Sequence, residues 1–66
     1  MIVPLAEALN VLLQARERLA RNQGHRAYQE VRAAALTIQR AAYNGGVKPE
    51  MLRQLKEAIQ RLPGQE

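Results

Sequence analysis

Catalysis at a protein surface needs a nucleophile, a general base or a metal ligand, and this chain supplies few of them. It has one histidine, His25, and one threonine, Thr37, with no Asp, Ser or Cys. A single His without Asp, Cys or a second His cannot assemble a usual metal site, and beside Gly24 it reads as a turn residue. Glu7, Glu17, Glu30, Glu50 and Glu57 fall mostly on solvated faces, and no two are spaced for acid–base work. Glu57 is placed to pair with Arg53 and Arg61. The chain therefore reads as non-enzymatic, with no cofactor, no metal and no small-molecule substrate.

What the sequence does offer is arginine and apolar surface. Eight of its ten basic residues are Arg, and the formal net charge is +4. Arginine favours bidentate contact with carboxylate or phosphate, so an acidic partner is admissible. Arg16, Arg18, Arg21 and Arg26 gather around one expected turn, where they could grip an acidic surface or merely offset a helix dipole. Arg16 differs from the others because it interrupts an apolar stripe between Leu12 and Leu19, where it must snorkel or meet an acid.

The elements that must position these residues follow from hydrophobic spacing. Pro4 suits a helix start, and the pattern runs helical over about residues 4–22, with Gly24 as the expected stop. Leu5, Ala8, Leu9, Leu12, Ala15 and Leu19 form one stripe, opposite Glu7, Asn10, Gln14, Glu17, Arg18 and Arg21. Val11 on one flank, with Ala6, Leu13 and Ala20 on the other, widens the apolar arc to about twice the ~100° that a surface helix needs. A second helix is expected over about 25–43, with Ala27, Val31, Ala34, Ile38 and Ala41 spaced as the seam of an antiparallel pair. The short connection Asn22-Gln23-Gly24-His25 makes the two helices neighbours. Leu12 and Ile38 fall at the centres of the facing stripes.

Asn44-Gly45-Gly46 ends the second helix and Pro49-Glu50 starts a third, over about 49–62. Met51, Leu52, Leu55, Ala58, Ile59 and Leu62 make its single apolar stripe, and Pro63-Gly64 ends it ahead of Gln65 and Glu66. The expected fold is all-α, one domain spanning residues 1–66: an antiparallel helical hairpin plus a third amphipathic helix. It closes either as a three-helix bundle or as half of a helical dimer.

Size favours association. A 66-residue chain buries only about 60% of its unfolded surface, and with no cysteine it has no disulfide to support so small a core. The third helix is roughly 21 Å long against roughly 28 Å for the first, so it cannot cover the whole apolar arc. Candidate partner-binding residues are Leu12, Arg16 and Leu19 on the first helix. On the second, Leu36 and Tyr43 stand seven residues apart, away from the seam, with Arg32 and Arg40 flanking. An aromatic anchor with an arginine rim is a frequent interface composition, although the third helix could pack there instead. Leu36, Arg40 and Tyr43 complete the candidate set.

The sequence has no apolar run long enough to span a bilayer, and Met1 is followed by no signal-type pattern, so a cytoplasmic location is expected without membrane contact. A helix-turn-helix DNA reader is the alternative that a basic all-helical chain raises. Its reading helix would be the third, where Glu50 and Glu57 would meet phosphate, so nucleic acid is not the expected partner. Instead the chain should bind itself, as a homodimer or larger homo-oligomer, or another helical protein, or both.

Arg16-Glu17-Arg18-Leu19-Ala20-Arg21, followed after six residues by Tyr28-Gln29, resembles the hairpin of the small YscE-like co-chaperones of type III secretion. The resemblance implies a short cytosolic hairpin that acts with a larger repeat-type partner to keep a needle subunit from polymerising early. It would place that partner on the outward faces of the first two helices, with Leu12 and Leu19 among the contacts. A helix-mediated interaction and assembly module, chaperone-like in kind, is thus the expected function.

Overall fold

A computed structural model describes residues 1–63; the expected stop at Gly64 and the tail of Gln65 and Glu66 lie outside the described residues. Three helices follow one another: α1 (Leu5–Arg21), α2 (Tyr28–Tyr43) and α3 (Pro49–Ile59). Each packs against both of the others, so the all-α arrangement is a three-helix one within a single chain.

The ends of the helices have local causes. Pro4, with extended backbone angles, precedes α1, and its carbonyl accepts from the N–H groups of Glu7 and Ala8, both at 3.1 Å. At the far end Asn22, not Gly24, terminates the helix; its N–H donates to the Leu19 carbonyl at 3.2 Å, and Gly24 has no positive φ. The second helix starts three residues later than its sequence pattern suggests. His25 accounts for this, because its Nδ1 accepts from the Ala27 N–H at 3.0 Å and its carbonyl from the Tyr28 N–H at 3.0 Å. Residues 25–27 are thereby held in tight turns.

Gly45 and Gly46 end α2 with φ of 131° and 125°, in the region that side-chain-bearing residues avoid. The Gly46 N–H reaches back to the Ala41 carbonyl at 2.7 Å, the six-to-one bond of a Schellman-type stop. Val47 then pairs with Val3 in a single antiparallel bridge, the Val3 N–H donating to the Val47 carbonyl at 2.7 Å. Periodicity gave no sign of this bridge, since one residue pair has no period.

The third helix ends at Ile59, before the expected 62. Its last turns tighten, with Arg61 N–H donating to Ala58 and Leu62 N–H to Ile59, both at 3.0 Å. Arg18 on α1 then donates to the carbonyls of Ile59 and Leu62, each at 3.3 Å, and the Asn22 side chain to those of Arg18 and Pro63 at 2.8 Å. Arg18 is therefore half-buried and caps another helix, where the sequence pattern put it on a solvated face.

The core comprises Ala8, Val11 and Ala15 of α1, Ala27, Val31 and Ile38 from the α2 region, and Val47, Leu52, Leu55, Ala58, Ile59 and Leu62 from the last third of the chain. The α2 seam and the α3 stripe pack as their spacing predicts. On α1 the buried line is rotated toward Val11: Leu5 and Leu9 are exposed, while Leu12 and Leu19 are only half-buried. The reason is size. Leu52, Leu55 and Ile59 bring the bulk, so α1 meets them with small side chains.

Ile38→Ala is expected to cost about 2–5 kcal/mol, whereas Leu36→Ala, on the same helix but 40% exposed, should stay within about 0.5 kcal/mol. Urea unfolding of the two variants makes the comparison, and equal losses would contradict this core. A Cβ built on Gly46 would come within 2.6 Å of Ile2 Cγ2. Gly46→Ala should thus lower stability by at least about 1 kcal/mol. Truncating Ile2 to Ala in the same chain should return only part of the loss in a thermal melt, because the strained φ remains.

Candidate functional site

Because α3 lies against the Val11 side of α1 and the Val31–Ile38 side of α2, the other side of the hairpin is left open. There α1 and α2 form a trough of about 630 Å³. Its lining from α1 is Leu9, Leu12, Leu13, Arg16, Leu19 and Ala20. Across from them stand Tyr28, Arg32, Ala35, Leu36 and Gln39 of α2. Leu12, Leu19, Tyr28 and Ala35 are half-buried, while Leu9 and Leu13 are 49% and 57% exposed.

Two surfaces that the sequence suggested separately are one surface in the fold. Leu12, Arg16 and Leu19 of the first candidate set share the trough with Leu36 of the second. Arg40 and Tyr43 do not line it; both are exposed, Tyr43 to 87%, near the end of α2. The third helix does not pack over Leu36 and Tyr43. Arg32, expected at the rim of the second patch, stands in the trough wall, and Leu9, Leu13 and Tyr28 belong to the trough without having been expected at a site. Leu9 and Leu13 carried a usable signal, since both are too large for the seam that Ala8 and Ala15 form.

The charges sort by side. Lys56 of α3 approaches Glu7 of α1 at 4.0 Å, and Arg61 beyond α3 pairs with Glu30 of α2. Arg61 thus pairs across to another helix and not with Glu57 of its own, as helical spacing had suggested. Both pairs are half-exposed and contribute at most about 1 kcal/mol each. They hold α3 to the hairpin on the side away from the trough. Arg16 and Arg32 stand one on each wall, and among the described residues neither has an ion pair or side-chain hydrogen bond.

His25 is engaged in its turn, and the Thr37 hydroxyl donates to the Ala33 carbonyl one turn back, at 3.0 Å. Among the described residues no three His, Cys, Asp or Glu come together in a way that could hold a metal ion. No helix among them is long and apolar enough to cross a membrane. Comparison with protein families, with curated proteins and with solved structures finds nothing that matches this chain.

The two neighbouring arginines separate structural from surface roles. Arg18→Gln removes the guanidinium nitrogen that donates both hydrogen bonds to the end of α3 and should cost about 1 kcal/mol, or about 4–8 °C in melting temperature. Arg16→Gln should leave the melting temperature within about 2 °C, as an exposed residue without a partner does. A calorimetric comparison of the two tests the assignment, and a reversed order would contradict it.

Proposed function

We propose that this chain is a non-enzymatic interaction module that receives an amphipathic helix of another protein in the trough between α1 and α2. The observation that carries this reading is the trough itself: Leu9, Leu12, Leu13, Leu19 and Leu36 lie contiguously on the one side of the hairpin that α3 leaves open. Scattered single leucines on a surface are ordinary, whereas a contiguous apolar groove between two helices has the form used for helix-in-groove recognition. The engagement of His25 and Thr37 with backbone groups supports a role without catalysis.

The resemblance of the first hairpin to the YscE-like co-chaperones supports the same reading. Its specific form is then a small cytoplasmic secretion co-chaperone, with Leu12 and Leu19 facing the larger subunit. Charge weighs against the nucleic-acid reading. Arg18, Lys56 and Arg61 are each engaged within the fold, and Glu50 and Glu57 are exposed on α3.

A neutral helical peptide of about 14 residues, with leucines at helical spacing and glutamines elsewhere, provides the test. Titrated into the isotopically labelled chain, it should saturate with amide shifts centred on Leu9, Leu12, Leu13 and Leu36. Leu9→Gln/Leu13→Gln/Leu36→Gln should abolish the response without lowering the melting temperature. Absence of binding up to about 1 mM peptide would overturn the reading. Sequence-specific binding of a DNA duplex tighter than about 10⁻⁸ M at physiological salt would replace it with that of a regulator.

A further inference from the structure

We infer that the helix received by this trough is acidic, carrying carboxylates on both flanks of its apolar stripe to meet Arg16 on one wall and Arg32 on the other. The inference rests on the trough being a helix-binding site, and it adds what that helix must be.

The lining holds two guanidinium groups, the Gln39 amide and the Tyr28 hydroxyl, but no acid. Arg16 lies five residues before the last residue of α1, and Arg32 four residues after the first of α2. In an antiparallel hairpin this puts them at about the same level, on opposite walls. Apolar residues continue on both sides of that level: Leu19, Ala20 and Tyr28 toward the turn, and Leu9, Leu13 and Leu36 toward the open end. A helix lying along the trough must therefore pass between the arginines.

Covering them with a wholly apolar or neutral helix would strip water from two charges without giving either a partner, and such burial is costly. A carboxylate on each flank of the incoming helix removes that cost. The planar guanidinium fork accepts such a partner in a two-point contact, which also fixes the register of the bound helix.

The lining of a second copy does not provide this partner. A two-fold interface presents the same patch from both subunits, so trough against trough would gather four guanidiniums and no carboxylate from the lining. Of the acids outside the lining, Glu7 and Glu30 are engaged with Lys56 and Arg61 on the α3 side, and Glu50 and Glu57 lie exposed on α3, away from the trough, while Glu17 is exposed on α1. Charge complementarity selects another protein with an acidic amphipathic helix. A polyanion without apolar side chains would satisfy the arginines but leave the leucines uncovered.

Three helical peptides with one leucine stripe and Glu, Gln or Lys at the mid-length flanking positions provide the test, with binding followed by calorimetry. The Glu peptide should bind about five- to tenfold tighter than the Gln peptide, with the Lys peptide weakest. The preference should shrink as salt rises from about 0.05 M to about 0.5 M, where screening shortens to a few ångströms. Arg16→Gln/Arg32→Gln should erase the preference by weakening the Glu peptide, should tighten the Gln peptide slightly because no guanidinium is then left without a partner, and should leave the melting temperature unchanged. If the Gln and Glu peptides bind equally, the acidic partner is ruled out and the trough remains a helix site. If no peptide binds, the helix-binding reading itself fails. Sedimentation showing a dimer at micromolar concentration that Leu13→Gln/Leu36→Gln dissolves would instead make a second copy the occupant and overturn the inference.

Discussion

The fold depends on a difference in side-chain size between helices. Ala8 and Ala15 on α1 and Ala27 on the approach to α2 are buried small residues, and Leu52, Leu55, Ile59 and Leu62 deliver the volume that fills the space they leave. Leu55, Val31 and Ile38 are the largest fully buried side chains, with at most 1% exposure, so the tightest point of the molecule is where α3 meets the hairpin. Once alanines occupy that side of α1, its leucines have nowhere to go but the other side. The open trough is the consequence of how the closed face is packed.

Polar groups hold this arrangement at the ends of the elements. Arg18 and Asn22, at the last turn of α1, take the carbonyls that α3 and the residues after it cannot satisfy internally. At the opposite end of α1, the Val3–Val47 bridge and the seating of Ile2 over Gly46 tie the start of the chain to the α2–α3 connection. Among the described residues no buried side-chain polar atom lacks a partner. A core this small tolerates few unsatisfied groups, and the caps lie on the α3 side, so these polar contacts hold the hairpin without using the polar groups of the trough.

Spacing made the helices and the third stripe legible, because Met51 to Leu62 and Ala27 to Ala41 each present a single face with a single period. The first helix was harder to orient. Its apolar arc is so wide that period alone cannot say which part is buried, and the choice between the Leu9 side and the Val11 side is made by the volume of α3, which the α1 sequence does not contain. The late start of α2 was hidden for a related reason: His25 acts through one ring nitrogen on one backbone N–H, a contact without periodicity. Leu12, Arg16, Leu19 and Leu36 of the candidate surface are readable as residues, and its unity is not. Leu12 and Leu36 belong to different helices, and only the hairpin register brings them to one trough. Arg40 and Tyr43 have the composition of an interface, yet the turn of α2 carries them off the trough.

The exposed leucines of the trough, Leu9, Leu13 and Leu36, are informative because the three-helix core does not require them. On an exposed helix position Ala has the higher helical propensity, and Gln or Lys serve almost as well as Leu. Leu9 and Leu13 leave about half of their surface in water and give the three-helix core little, while their exposure raises the hazard of non-specific association. The two arginines reduce that hazard in a directed way. On the proposed reading they would repel a second trough, discourage neutral apolar matter from closing over them, and favour a surface that brings carboxylates with its leucines. On that reading, apolar side chains would supply the binding area, and the guanidiniums of Arg16 and Arg32 would select what uses it.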